Sequence, residues 1–353
     1  MNARDFRAGL PFVSVIIPTR NEEHYLASCL SSLLAGTYPS ESMETLIVDG
    51  KSDDRTCEIA RQYAVSNASV KLLDNPARVV PNAMNIGIRA ARGQIIVRLD
   101  AHARYPSDYI EQLVRWLLEL GAENVGGVCI ARPASDRPQA RAVACILSHR
   151  FGVGDSQFRV GGSSAPAEVD TVPFGCYRRE VFDRVGGYDE MFVRNQDDEL
   201  NARLKKAGGR IFLIPDVKTE YFTRPSLRKM ASMLYQYGYY KPLVAFKLGR
   251  PATLRQLAPP VFTAALVLLP CAFLALPWTV YVWTGTLCAH AALNILASVG
   301  IARKQGWSIL PCLLTGFLWG HLAYGWGYLC GLVNFGLLRR HLRSDVREVP
   351  LSR

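Results

Sequence analysis

The sequence has no GxGxxG fingerprint and no GxxxxGK[ST] loop. Neither a dinucleotide fold built on a glycine-rich turn nor a P-loop cradle is encoded, so a bound nucleotide would be held by base-edge and metal contacts. Its nine cysteines contain no CxxC pair, which argues against a zinc ribbon, a redox dithiol or a disulfide scaffold. Cys271, Cys288, Cys312 and Cys330 fall inside apolar runs and read as small packing residues in a reduced setting. Met1 to Pro11 lacks an apolar signal region, so the polar part of the chain is expected to stay in the cytoplasm. Acidic residues are the minority charge, 30 against 41 basic ones, for a formal net charge of +11. The basic residues gather before and between apolar runs, which favours anionic lipid or phosphorylated ligands over nucleic acid.

What is present divides unevenly. Pro259 to Trp283, Thr286 to Ala302 and Ser308 to Leu338 are long apolar runs, whereas the first two thirds alternate like an α/β protein. Strands are expected at Val13 to Ile17, Thr45 to Val48, Val70 to Leu73 and Gln94 to Leu99, with helices at His24 to Leu34, Arg55 to Val65 and Pro81 to Arg92. That rhythm predicts a mostly parallel sheet with crossover helices. Beyond it come a strand at Val125 to Ala131, a helix at Arg137 to Phe151, and a Gly/Ser-rich stretch at Gly152 to Asp170. A loop of that length suits a lid or an acceptor-binding loop.

Three of the expected strands end in acid-bearing turns: Asn21 to Glu23, Asp49 to Asp54, and Asp100 to His102. If the strands are neighbours, these turns converge at the carboxyl edge of the sheet, where open α/β sheets bind ligands. Asp49 suits either a donor hydrogen of a base or ribose, or its own turn backbone. Asp100 and His102, two residues apart, could hold a divalent cation against a diphosphate, or serve only as a helix cap and a surface imidazole. Asp197 and Asp198 fall in the first turn of a helix that Asn195 is expected to cap. One of them could take a proton from an attacking hydroxyl.

Five segments in fixed order carry a resemblance: VIIPTRNE from Val15, LIVDGKSDDRT from Leu46, RLDAH from Arg98, FGCYRREVFDRVGGYDE from Phe174 and NQDDEL from Asn195. Together they resemble family 2 glycosyltransferases of the GT-A fold, and within them the succinoglycan glucosyltransferase (ExoA-like) subgroup, over roughly Val13 to Tyr240. The resemblance implies an α/β fold with a Rossmann-like mixed sheet flanked by helices. It implies that Pro18, Thr19, Glu22 and Asp49 hold the nucleotide base, that Asp100 contacts ribose or metal, and that Asp197 is the general base of an inverting transfer. His102 replaces the second acid of the DxD motif, and a neutral imidazole suits Mn²⁺ better than Mg²⁺. Arg104 or Arg224 could add positive charge at the diphosphate, and Gln196 replaces the glutamate of the ED motif. Gln236 to Tyr240 stands where processive synthases carry QxxRW but lacks its Arg-Trp, so a single sugar is expected to be added. Cys176, Asp198, Gln236, Tyr239 and Tyr240 are the expected acceptor-side residues.

The expected organisation is a catalytic domain at 1–222, amphipathic interfacial helices at 223–257, about three hydrophobic segments at 258–338 and a basic tail at 339–353. The basic and aromatic stretch from Lys218 to Arg255 suits the lipid interface. Two spans would return Arg303 and Lys304 to the cytoplasm, and a third would carry Arg339, Arg340 and Arg343 across. Either three spans or a re-entrant, glycine-kinked third segment fits; His321 and Asn334 read as packing or backbone partners. The chain is thus expected to be a multi-pass enzyme of the inner membrane with a cytoplasmic catalytic domain. It would use a UDP-sugar, a divalent metal and a lipid-linked saccharide acceptor. Transfer to polyprenyl phosphate is the nearer rival, and a non-catalytic nucleotide-sugar-binding scaffold the rival from another class.

Overall fold

The computed structural model describes residues 9–161, 164–249 and 254–339. The elements in chain order begin β1 (Val13–Thr19), α1 (Leu26–Leu34), β2 (Met43–Asp49), α2 (Thr56–Ser66), β3 (Val70–Asp74), α3 (Val80–Ala90), β4 (Ile95–Arg98), β5 (Ala103–Arg104) and α4 (Tyr109–Glu119). They continue with β6 (Asn124–Arg132), α5 (Pro138–Leu147), β7 (Ala167–Glu168), β8 (Cys176–Arg178), α6 (Arg179–Val185), α7 (Gln196–Lys206) and β9 (Ile211–Phe222). The helices α8 (Leu227–Leu248), α9 (Ala258–Cys271), α10 (Thr279–Gln305) and α11 (Leu310–Gly331) follow. The chain divides into two compact units, 1–130 with 161–221, and 131–160 with 222–353.

The first unit is built on a mixed sheet whose strands run β3-β2-β1-β4-β8-β6-β9-β5, with β7 on β9. The expected parallel rhythm holds from β3 through β4. It then reverses, because β8 lies antiparallel to both β4 and β6, and β9 antiparallel to β5 and β7. Every residue of β1, β2 and β4 is buried, as expected of apolar, β-branched strands covered on both faces. The register sets Thr19 beside Asp49, Asp49 beside Asp74, and Ile16 beside Arg98. The acid-bearing ends of β1, β2 and β4 are therefore neighbours. Strand β9 was not among the expected elements; it carries Pro215 and ends inside the basic stretch assigned to the lipid interface. Within the expected loop at 152–170, Gln157–Val160 is helical and Ala167–Glu168 is strand, while residues 162 and 163 lie outside the described residues.

In the second unit, α5 was expected inside the catalytic domain but packs elsewhere. Its Ala142, Val143, Ile146 and Leu147 form one buried cluster with Leu227, Met230, Leu313 and Phe317, so its apolar stripe is covered by other helices. The expected helix to Phe151 breaks after Leu147, and a short turn resumes at Arg150–Val153. Helix α8, expected on the lipid surface, is buried along much of its length. It lies against α11 through glycines: a Cβ on Gly238 would stand 2.0 Å from the Tyr324 carbonyl oxygen, and one on Gly327 2.2 Å from that of Tyr235. The glycines of α11 thus admit a neighbouring backbone, and the segment is a continuous helix of 22 residues.

The expected first run breaks at residues 272–278, leaving α9 with 14 residues, short of the ~20 needed for a span. Residues from Thr279 instead join α10, whose 27 residues have a window of mean hydropathy 1.5. Among the described residues α10 is the one helix long and apolar enough to cross a membrane. Residues 250–253 and 340–353, which include most of the basic tail, lie outside the described residues.

Candidate active site

The loops after β1 and β2 are laced together before any acid is considered. The Gly50 N–H donates to the Thr19 carbonyl (2.8 Å), Glu22 N–H to Thr56 Oγ1 (2.7 Å), and Asp53 N–H to Asn21 Oδ1 (3.1 Å). Asn21 and Lys51 both take positive φ, 55° and 54°, a conformation that costs a non-glycine side chain energy and clusters at functional turns. Asp49 accepts from Ser52 N–H (2.9 Å) and Ser52 Oγ (2.6 Å), with Thr19 Oγ1 at 3.4 Å. Its carboxylate therefore serves the turn backbone, the first of its two expected roles to be visible. Pro18 is buried in β1 opposite Val48.

The turn after β4 is closed by a single phenol. Tyr105 Oη accepts from the Asp100 N–H (2.9 Å) and donates to the Asp100 carbonyl (3.0 Å), fixing the acid's main chain on both sides. Asp100 Oδ2 then lies 3.9 Å from His102 Nε2, and Glu22 Oε1 lies 3.4 Å from His102 Nδ1. The His102 ring stands edge-on to Tyr221 at 4.8 Å. Glu22 is thus buried against the imidazole, a partner its expected base-binding role did not include.

Asp197 arrives from the other side of the sequence. Asn195, expected to cap α7 with its side chain, makes no side-chain cap bond; it supplies a left-handed residue (φ 60°, ψ 21°) that turns the chain into the helix. The preceding Gly-Gly-Tyr turn is held by Arg203, which donates to the carbonyls of Val185 and Gly187 and to Glu199. Asn85 holds the same turn by accepting from Tyr188 N–H (2.8 Å) and donating to the Tyr188 carbonyl (2.8 Å).

Asp100 and Asp197, 97 positions apart in the sequence, meet on one guanidinium. Arg98 donates from Nη2 to Asp100 Oδ1 (3.2 Å) and from Nη1 to Asp197 Oδ1. Its side chain is 8% exposed, against 20% for Asp100 and 28% for Asp197. Burial alone would raise the Asp100 carboxyl, but Arg98, with His102 and Arg194 adding, pulls it below the ordinary carboxylate range. For Asp197 burial prevails over Arg98, and repulsion from Asp100 and Asp198 adds to it, so its carboxyl is pushed up. The environments of the two acids therefore separate their proton affinities in the direction an acceptor of protons requires.

Arg98 entered the expectations only within the Gln94 to Leu99 strand and the RLDAH segment; a cation inside an apolar run, two residues before an acid, is the one local signal it carries. Arg194, whose charge also acts on Asp100, was likewise passed over. Arg104 lies on β5, 58% exposed and 3.9 Å from Glu220. Asp198 is in the first turn of α7 beside Asp197. Cys176 is fully buried in β8, where its thiol is pushed up by burial; it packs the sheet and presents no surface to an acceptor. Arg224, Gln236, Tyr239 and Tyr240 belong to the second unit and are buried there. Tyr239 Oη accepts from Asn334 Nδ2 (3.0 Å), and His321 Nε2 meets the Phe151 carbonyl (2.7 Å), the packing and backbone partnerships expected of Asn334 and His321.

Among the described residues no group of three His, Cys, Asp or Glu side chains is arranged to hold a metal. Asp100 and His102 offer two donors. A cation held by one or two protein groups and completed by substrate phosphates is compatible with that set.

The chain and its fold have known relatives. The family model for glycosyl transferase family 2 matches residues 14–186. The succinoglycan biosynthesis protein ExoA of Rhizobium meliloti is 31% identical over 327 residues, covering 91% of this chain and 95% of that one. A dolichyl N-acetyl-alpha-D-glucosaminyl phosphate 3-beta-D-2,3-diacetamido-2,3-dideoxy-beta-D-glucuronosyltransferase of Methanococcus voltae is 30% identical, covering 67% and 74%. Among solved structures, the mannosyltransferase PcManGT from Pyrobaculum calidifontis, in complex with GDP-Man and Mn²⁺, superposes with a TM-score of 0.55 at 21% identity, covering 90% of this chain and 87% of that one; the fold is thus the GT-A type. An alignment that runs through nearly all of ExoA, over a sheet whose acid-bearing ends converge as described, makes the chain a member of glycosyltransferase family 2.

Proposed function

We propose that the chain transfers one glucose from UDP-glucose, with inversion to a β linkage, onto a polyprenyl-diphosphate-linked saccharide in exopolysaccharide biosynthesis. The observation that supports this reading is the pair of acids that meet on Arg98; in this reading Asp100 serves the donor and Asp197 the acceptor. Kinship with ExoA supports the exopolysaccharide setting.

Departure of the nucleoside diphosphate develops negative charge on the leaving oxygen. Asp100 Oδ2 and His102 Nε2 are the groups that would hold a divalent cation there, Mn²⁺ in preference to Mg²⁺ because one donor is an imidazole. When bound, the cation supplies electrostatic stabilisation of the leaving group. The related fold that holds GDP-Man and Mn²⁺ supports this assignment. Arg194 or Arg104 adds positive charge for the diphosphate. Asp197 accepts the proton of the acceptor hydroxyl as that oxygen attacks the anomeric carbon from the face opposite the leaving group. The raised carboxyl of Asp197 makes it a better proton acceptor than its free counterpart. Helix α10 anchors the chain in the inner membrane with the catalytic unit on the cytoplasmic side, and the lipid part of the acceptor shares that membrane.

A second reading, transfer onto a saccharide linked to a polyprenyl monophosphate, is supported by the dolichyl phosphate sugar in the name of the Methanococcus relative. Thermal stabilisation across a panel of UDP- and GDP-sugars, with and without Mn²⁺, tests the donor: the largest shift is expected with UDP-glucose plus Mn²⁺. Mass spectrometry of the lipid product then separates diphosphate from monophosphate linkage.

A further inference from the structure

We propose that Arg98 is the positioning residue of the transfer, a single fork that fixes the donor-side acid and the base in one frame. The proposal rests on the reading of Asp197 as base. The root of the Arg98 side chain is fixed by the sheet: Arg98 lies opposite Ile16 of β1, and its N–H donates to the Gly175 carbonyl at 3.0 Å. The guanidinium is planar, and its two terminal nitrogens diverge. Nη2 engages Asp100 Oδ1 and Nη1 engages Asp197 Oδ1, while Nε, also buried, makes no hydrogen bond to any described residue. Among the described residues the guanidinium's hydrogen bonding is therefore directed at these two acids.

The consequence is an assignment of oxygens. With Oδ1 of each acid held by Arg98, Asp100 presents Oδ2 toward His102, and Asp197 keeps Oδ2 for the acceptor hydroxyl. The acids come from separate loops, the Tyr105-clamped turn after β4 and the left-handed entry to α7. Their separation sets the distance between leaving group and attacking oxygen, and a guanidinium spans it as a rigid body. Lysine would keep the buried charge but offers one nitrogen on a flexible stem, so it cannot impose the same spacing. Arg98 touches neither reactant in this account; it acts through the two carboxylates.

The test compares Arg98→Lys with Asp197→Asn in the full chain, in membranes. The sugar donor is the member of a panel of UDP-glucose, UDP-galactose, UDP-GlcNAc and GDP-mannose on which the wild type turns over. Arg98→Lys is expected to lower kcat by about 100-fold, the scale of a misplacement of roughly 1 Å, while KM for the donor and the donor-induced thermal shift stay near wild type. A wild-type kcat overturns the proposal, as does a loss confined to donor KM, which would make Arg98 a donor-site residue alone. Asp197→Asn separates the two failures. If it is inactive while Arg98→Lys is fully active, the base stands and the fork falls; if it remains active, the base assignment itself fails and takes the fork with it. Should Arg98→Lys not accumulate as folded protein, Arg98→Ala with added guanidinium ion gives the same reading. Recovery of transfer by guanidinium but not methylammonium supports the proposal, and no recovery overturns it.

Discussion

Around Asp100 and Asp197, position is set by hydrogen bonds between segments far apart in sequence; around Gly238 and Gly327 it is set by the removal of side chains. In the first unit Asn85, Tyr105, Arg98 and Arg203 each tie down a loop by two or more directed bonds. In the second, α8 and α11 approach until a single Cβ would strike a carbonyl. Directed bonds place charge to a fraction of an ångström and tolerate a loosened neighbour. Backbone apposition gives close packing with no polar group to satisfy, and tolerates no added atom. The proposed chemistry sits where the first method is used, since a reacting group must be aimed as well as buried.

That contrast can be broken experimentally. The largest effect is expected from Asp197→Asn: about a 1,000-fold loss of transfer, within the range of general base removal, with the donor-induced thermal shift nearly intact. Weak donor binding in that variant would make Asp197 a scaffold residue. Next comes Gly327→Leu, whose first side-chain carbon would lie 2.2 Å from the Tyr235 carbonyl oxygen. Overpacking of this kind should cost about 3 kcal/mol, read as a lowered melting temperature in detergent, and an unchanged melting curve would show that α8 and α11 can separate freely.

Asn85→Ala sharpens the comparison from the polar side. It removes the bonds to both main-chain groups of Tyr188 and to Glu190 (3.0 Å), and about 2 kcal/mol of stability should go with them. A fall in kcat larger than the fall in stability explains would tie the turn to the placing of Asp197. The smallest effect concerns Glu44, fully buried between Lys71 and Arg92 and hydrogen-bonded by Ser14. Burial alone would raise its carboxyl, yet the Arg92 main-chain N–H, Ser14, Lys71 and Arg92 together hold it below its ordinary value of 4.5. Its stabilisation is therefore complete above the unfolded value and lost as pH falls through the lower folded one. Glu44→Gln should be less stable at neutral pH, with the gap to wild type closing below pH 4.5 in denaturant titrations.

The alternation from β1 to β4 was legible because each strand is an apolar, β-branched run ended by a polar turn, and three of those turns carried the acids that now stand together. What escaped notice was carried by weak or conflicting local signals. Strand β9 has Pro215 in its middle and Lys218 and Glu220 near its end, so composition placed its last residues with the basic stretch. Strand β8 is three residues long, too short for a period to show. Helix α5 has an ordinary apolar stripe, and nothing local says which surface will cover it. The acids of the proposed site could be named from sequence, but Arg98 could not be chosen among 41 cations, because the role proposed for it exists only once two loops meet. Cys176 was misjudged for the converse reason: adjacency to a motif says nothing about which way a strand residue points.

The entry to α7 has one more implication. Asn195 sits at φ 60°, and asparagine and glycine reach that region far more cheaply than branched residues do. A library that randomises the acceptor side of this enzyme should therefore restrict position 195 to Asn, Asp and Gly. Valine or isoleucine there would swing the neighbouring carboxylate off its line, and every such clone would be scored as a specificity failure when the fault is one of backbone handedness.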